Sequence, residues 1–395
     1  MGLPDALLGS AWPVMQVDLN VPLSFAGFIA MTITAGTVVA SLISFKLTKK
    51  FSAKVVVAFG FLVTSGSLFL FSFSTQFWQL LLIAAPYGLG VGSIDAALNG
   101  YVAGKYKSRQ LNWLNCAWAA GAAISPFIMS YALTSAAGWS MGYLTVAIIQ
   151  VSFAALLFIT LPLWKKGEKK DSSSQVAVDS CQLPVVHEAN NQPPKKPSFI
   201  TLLGTKNLKL MLVAFFCYIT VESTAGLWAS SFLVHAKGVE YALAALFASF
   251  LFLGILSGRF VAGFVSDKIG NKKMIRIGIC IIVVGILLIL LSFTEVWLAL
   301  TGLIILGIGI APIYPAVLAS TPHNFGKENA QAIVGIQMAA AYMGGALMPP
   351  LFGLIANNIS IQLYPVFLLL FVVIMFTLIE AFNKKVNKQE MKDKR

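Results

Sequence analysis

The sequence predicts an all-α membrane protein with twelve helical spans, and three observations carry that expectation. The 395-residue chain is 58% hydrophobic and only 11% charged, with a mean hydropathy of +0.82, outside the range of soluble globular domains. Its apolar residues gather into runs of about 20, the length that crosses a bilayer as a helix, and these runs lack the alternation of a membrane β-strand. All but two of the 28 Lys and Arg, the exceptions being Lys237 and Arg259, fall in alternate loops, at the helix ends beside them, or in the C-terminal tail. That asymmetry places the basic loops in the cytoplasm. It also accounts for the net charge of +13 without a nucleic-acid partner.

Taken in order, the first span is the short one. Sixteen residues, MGLPDALLGSAWPVMQ, precede a polar turn at Val17–Pro22, and a full crossing needs about ten more before Met1, so the first helix reads as truncated at its N-terminus. The remaining spans read as 23–45, 53–74, 77–103, 110–133, 140–164, 208–234, 241–265, 274–293, 296–319, 329–355 and 360–382. Between the sixth and seventh lies 165–207, rich in Lys, Ser, Pro, Asn and Gln and without apolar period, which reads as a mostly disordered cytoplasmic linker. Two six-helix bundles are therefore expected, 1–164 and 208–383, followed by a basic tail, 384–395. Both termini fall on the cytoplasmic side of a plasma membrane. Cys116, Cys217 and Cys280 sit in apolar runs and Cys181 in a cytoplasmic loop, so no disulfide framework is expected. No cleavable signal peptide is visible.

The halves repeat one another. GLGVGSID (88–95) in the fourth span parallels GIGIAPIY (307–314) in the tenth, and Gly121 and Pro126 of the fifth parallel Gly344 and Pro349 of the eleventh. Repeated halves with a site between them are how secondary transporters are built. After the eighth span stands GFVSDKIGNKK (263–273), similar to the loop signature of the major facilitator superfamily, with Asn271 at one basic position. In it Gly263 would permit close helix packing, Asp267 would cap or pair across helix ends, and Lys268 with its basic neighbours after Gly270 would answer an anionic leaflet. The corresponding loop after the second span, SFKLTKKFSAK (44–54), keeps the cations without the acid or the glycines. The resemblance implies the twelve-helix fold of two pseudo-symmetric bundles.

Within that superfamily the chain resembles the fucose–proton symporter family and its fucose permease-like relatives along its whole length. The resemblance is carried by GLPDALLGSAWP (2–13), DAALN (95–99), RQLNW (109–113) and Tyr218-x-x-x-Glu222-x-x-x-Gly226. It implies that the acids of the first and fourth spans, Asp5 and Asp95, form the pair that handles the proton and the sugar. The fourth-span acid is Asp here where the best-known member has Glu, and Asn115 stands where many relatives carry His.

The residues themselves support that placement, each against a plainer reading. A carboxylate at membrane depth costs several kcal/mol and normally faces the bundle interior, which makes Asp95 the leading candidate for protonation; otherwise it is a structural acid tied to a neighbour. Asp5 follows the same logic, with a helix N-cap as its alternative. Glu222 and Tyr218, one turn apart, could together bond sugar hydroxyls, or could tie helices. Asn99, Asn112, Asn115 and Gln337 offer the paired donors and acceptors a polyol needs, with the same alternative. Trp118 lies deep enough to line a pocket, whereas Trp12 and Trp228, toward the outer ends of their spans, read as interfacial anchors. Arg259, two turns before Asp267, reads as a gate or a partner at the cytoplasmic end. Glu380 falls in the last turn of its span, at the interface.

No phosphate-binding loop, nucleophilic triad or metal constellation appears in the sequence, so no enzyme activity, cofactor or metal is expected. The expected function is proton-coupled import of a sugar or related small polar solute by alternating access, by a chain in the bilayer whose default state is a monomer. Proton-coupled efflux of an amphipathic compound is the alternative, and would call for a cavity of Phe and Met. A non-transporting membrane receptor or assembly partner is the second.

Overall fold

The computed structural model describes residues 2–105, 108–135, 137–168, 207–292, 295–326 and 330–393. Nearly all of the expected linker, with Cys181, lies outside them, as do the side chains of Asn112 and Asp267. The described residues form fourteen α-helices: α1 Gly2–Asp5, α2 Leu7–Asp18, α3 Phe25–Phe51, α4 Ala53–Ser72, α5 Phe77–Lys105, α6 Ser108–Leu133, α7 Gly138–Glu168, α8 Leu208–Lys237, α9 Tyr241–Ile269, α10 Asn271–Leu291, α11 Val296–Ile310, α12 Ile313–Phe325, α13 Ala330–Ile355 and α14 Tyr364–Asp393. Ten stretches among them are long and apolar enough to cross a membrane.

These stretches account for the expected spans. The last of the ten, Ile333–Val386, turns at a π-helical segment, Ala356–Ser360, and a 3₁₀ segment, Ile361–Leu363. Beyond that turn α14 runs back along the molecule. The Tyr364 hydroxyl donates to the Ala225 carbonyl at 3.1 Å, and the Phe382 ring lies 5.6 Å from Phe325. The short pair α1 and α2, interrupted at Ala6, makes the twelfth pass. Two boundaries differ from the sequence expectation. The tenth span is broken at Ala311–Pro312, because proline lacks the N–H of a helix interior and crowds the preceding turn. The basic tail is helical through Asp393, since its Lys, Gln, Glu and Met are good helix formers and it contains no Gly or Pro.

Close backbone approach reproduces the internal repeat. A Cβ placed on Gly88 would lie 2.2 Å from the Ile33 carbonyl of α3, and one on Gly307 would lie 2.1 Å from the Leu251 carbonyl of α9. Likewise Gly121 of α6 lies against Leu3 of α1, and Gly344 of α13 against Phe216 of α8. The residues paired by sequence thus make the same contacts in both halves. Without a hydrophobic drive between helices in lipid, such close packing holds the bundle together.

The halves themselves meet at the end opposite the basic loops. A Cβ on Gly9 would fall 2.6 Å from the Gly226 carbonyl, and one on Gly27 would fall 2.4 Å from Pro350 Cα. Gln16 Nε2 and His235 Nε2 stand 2.6 Å apart at the same end, and Ser230 donates to the Ser10 carbonyl at 3.4 Å.

Three expectations about individual residues change. Trp12 and Trp228 are not interfacial anchors; both are 0% exposed, their indole N–H groups donating to the carbonyls of Leu23 at 2.8 Å and Pro349 at 3.0 Å. They fill the bundle interior, each with its indole N–H committed to a backbone carbonyl. Gly263 packs against nothing within 4 Å of a Cβ placed there and is exposed. Gly270 instead has a clear local reason, a φ of +80° between α9 and α10 that a residue with a Cβ adopts only under strain. Lys268 beside it is exposed.

Glu380 accepts two bonds from Arg276, Nε to Oε1 at 2.6 Å and Nη2 to Oε2 at 2.7 Å. Because the Arg276 side chain is about half exposed, solvent screens the pair. Arg276→Ala is expected to lower stability by less than about 1 kcal/mol, read as a small drop in the detergent melting temperature; a large drop would mean the fork clamps the helix pair more strongly than its exposure implies.

Candidate functional site

The polar residues of the first, fifth, seventh and eighth passes converge at mid-depth between the halves. Asp5 ends α1, where Ala6 breaks the helix. Its carboxylate does not cap α2, which has no side-chain cap. Asp5 is exposed, and its Oδ2 accepts from the Trp118 indole N–H at 2.6 Å. The Trp118 ring in turn underlies the Arg259 guanidinium, whose carbon stands 4.9 Å from the ring centroid. Arg259 Nη1 donates to the Asn115 carbonyl at 3.3 Å, and its Nη2 lies 3.7 Å from Glu222 Oε1. One continuous series, Asp5–Trp118–Arg259–Glu222, therefore crosses from the first half of the chain to the second.

Asp95 and Asn99 form a second, looser element. They lie one turn apart on α5, as their spacing requires, and Asn99 Nδ2 donates to Asp95 Oδ1 at 3.3 Å. Both side chains are half-buried. The site thus sets Glu222 and, through the Trp118 indole, Asp5 beside one guanidinium, with Asp95 and Asn99 as a separate pair on α5.

Tyr218 and Gln337 also hydrogen-bond within the second half. The buried Tyr218 hydroxyl donates to the Ile310 carbonyl at 3.3 Å, and its ring stacks on Phe215 with centroids 5.8 Å apart. It shares a helix face with Glu222, one turn away. Gln337 is 0% exposed and accepts from the Thr321 hydroxyl at 2.9 Å, which ties α13 to α12.

Arg259 departs from the sequence expectation. Its spacing from Asp267, two turns later, suggests the cytoplasmic end, yet its described partners are at the centre of the site. A signal for this exists in the sequence: a charged residue in the middle of an apolar run is as expensive for arginine as for an acid, and α8 offers Glu222 at matching depth. Sequence gives no hint of the Gln16–His235 contact, since the two meet only when the halves close.

Trp118 joins the acid and the cation through different atoms, so two substitutions separate its functions. Trp118→Phe keeps a ring beneath Arg259 and removes the donor to Asp5; a hydrogen bond to a charged group is worth about 1.5–3 kcal/mol. Transport is expected to fall by roughly tenfold or more, and Trp118→Ala to fall further because it also uncovers the guanidinium. Equal initial uptake rates for native and Trp118→Phe protein would show that the N–H contributes nothing.

Twelve passes in two repeated halves, with ionisable residues held between them, define the architecture of a secondary transporter. The sequence profile of the Major Facilitator Superfamily matches residues 1–257 and again 210–394, and the chain belongs to that superfamily. It is 23% identical over 400 residues to Bypass of stop codon protein 6 of Saccharomyces cerevisiae, covering 95% of this chain and 78% of that one. It is 21% identical over 358 residues to the glucose/mannose transporter GlcP of Bacillus subtilis, covering 88% and 81%. The crystal structure of a point mutant of the nucleoside transporter NupG superposes with a TM-score of 0.74 at 14% identity, covering 97% of this chain and 96% of that one. The chain is thus a multi-pass membrane transporter of this superfamily.

Proposed function

We propose that the protein imports a sugar or related small polar solute together with a proton, by alternating access. The observation that carries this reading is the Asp5–Trp118–Arg259–Glu222 series. It sets an acid of the first half and an ion pair of the second at one depth, so a solute bound there contacts both halves at once. Asp95, which accepts from Asn99 at 3.3 Å, is the acid that takes and releases the coupling proton, with Asp5 as its partner. Asn99 and Asn115, with the indole of Trp118, supply hydroxyl partners and a flat apolar face for a ring. The polarity of this set favours a hydrophilic cargo over an amphipathic one, and the similarity to a glucose/mannose transporter points the same way. The basic loops face the cytoplasm and both termini lie there, in a plasma membrane. The chain acts as a monomer of two bundles, 1–164 and 208–383.

The test is proton flux in proteoliposomes over a panel of hexoses, deoxyhexoses and disaccharides. Addition of the right sugar is expected to make the outer solution alkaline as protons enter with it. Sugar movement without proton movement would remove the coupling. Exchange of protons for lipophilic cations instead would turn the direction from import to efflux.

A further inference from the structure

The first half holds a small cavity behind the first pass. It measures about 20 Å³, with Pro4 and Leu8 on one side and Phe71, Tyr87 and Tyr143 on the other, and aliphatic side chains of α3 and α4 complete the wall. About 10–15 Å³ is enough for one water. Tyr87 is only 4% exposed, yet its hydroxyl has no hydrogen-bond partner among the described residues, and a buried hydroxyl left so is costly. Packing holds the ring in place: Phe71 meets it edge-on with centroids 6.4 Å apart, and stacks on Tyr143 at 5.4 Å. Pro4 and Leu8 stand on either side of Ala6, where the first pass is interrupted, and α2 begins without a side-chain cap. An interruption frees carbonyls of the turn before it and N–H groups of the turn after it. At membrane depth such groups need partners from neighbouring side chains or ordered water.

We propose that this cavity binds one ordered water, which bridges the Tyr87 hydroxyl to the backbone of the interruption. A buried water makes about three hydrogen bonds; the hydroxyl, a freed carbonyl and a freed N–H supply them. The water fastens the break to α5. Because Asp5 is the last residue of α1, Tyr87 thereby becomes a positioning residue for the carboxylate that accepts from the Trp118 indole. This second step rests on the proposed coupling role of Asp5; the water site itself does not.

The water is read by X-ray footprinting of the intact protein in lipid nanodiscs, in which radicals made from bound water oxidise the side chains beside it. Tyr364, 0% exposed with its hydroxyl spent on the Ala225 carbonyl, sets the background. Tyr87 and Tyr143 are expected to oxidise faster than Tyr364; rates no higher than that background mean a dry cavity and overturn the proposal. Tyr87→Phe keeps the ring against Phe71 and removes only the hydroxyl. It is expected to slow oxidation of Tyr143 and to lower the detergent melting temperature, because the bridge loses a partner. A melting temperature at or above that of native protein shows a hydroxyl that was simply unpaired, and also overturns the proposal. If the variant does not fold, the native footprint alone decides. The positioning role is read in proteoliposomes as protons taken up per sugar, which is expected to fall in Tyr87→Phe while sugar exchange at equal pH persists. An unchanged ratio removes the positioning role. Sugar movement without protons in native protein removes the coupling reading instead, and the footprint still decides the water.

Discussion

Asp95→Asn is expected to abolish proton-driven accumulation, so that internal and external cargo reach the same concentration whatever the pH gradient. For one proton per solute, each pH unit is worth about 1.4 kcal/mol, and native protein should concentrate its cargo about tenfold per unit. Asparagine is nearly isosteric with protonated aspartate and can keep the contact with Asn99. It cannot release a proton on the far side, and a carrier that never changes charge has no means of feeling the gradient. Exchange of labelled for unlabelled cargo needs no net proton release and should fall far less than accumulation. Both quantities can be read from the same vesicles, with a pH jump for the first and equal pH on both sides for the second. If Asp95→Asn still accumulates cargo against a gradient, Asp95 is a structural acid and the coupling resides elsewhere, with Asp5 the next residue to replace.

That assignment begins in the sequence, and the reasons some residues are legible there and others not are physical. Apolar run length marks the passes because lipid demands it. The repeated glycines at 88 and 307, and at 121 and 344, are legible because close backbone approach tolerates no side chain, so the same need leaves the same residue in both halves. Asp95 and Glu222 stand out because a charge at membrane depth is rare. The environment of Arg259 is a different matter: local spacing offers Asp267 as a partner as readily as Glu222, and only the packing of α6 beside α9 decides. Trp12 and Trp228 mislead for a related reason. Depth along a span says how near a residue is to the interface, and nothing about whether a neighbouring helix covers it. The break at Pro312 and the uncovered Gly263 show the same limit in reverse, where a residue suited to one role serves another or none.

Gly307→Val is expected to prevent folding, whereas Gly27→Leu is expected to yield folded protein in a different conformation. Both positions lack room for a side chain, but the obstacles differ. At Gly307 a Cβ meets the Leu251 carbonyl at 2.1 Å and the Ile255 amide nitrogen at 2.9 Å, both backbone atoms of α9 within the same half. No rotamer relieves that clash, and the cost should exceed the roughly 1–3 kcal/mol typical of overpacking; the measurement is loss of a monodisperse peak after detergent extraction. At Gly27 the obstacle is Pro350, at 2.4 Å from Cα, and it belongs to the other half. There the clash can be relieved by parting the halves at the end opposite the basic loops, the rigid-body motion by which such carriers expose their site alternately. Gly9→Val, which would strike the Gly226 carbonyl, should act in the same direction. Spin labels at Val17 and Tyr241, exposed residues at that end on α2 and α9, should therefore move apart in Gly27→Leu relative to native protein. An unchanged distance in a folded variant would mean that the contact between α3 and α13 yields locally and is not part of the gate. A state held open at one end cannot complete the cycle, so transport should fall even though every residue of the polar site is intact.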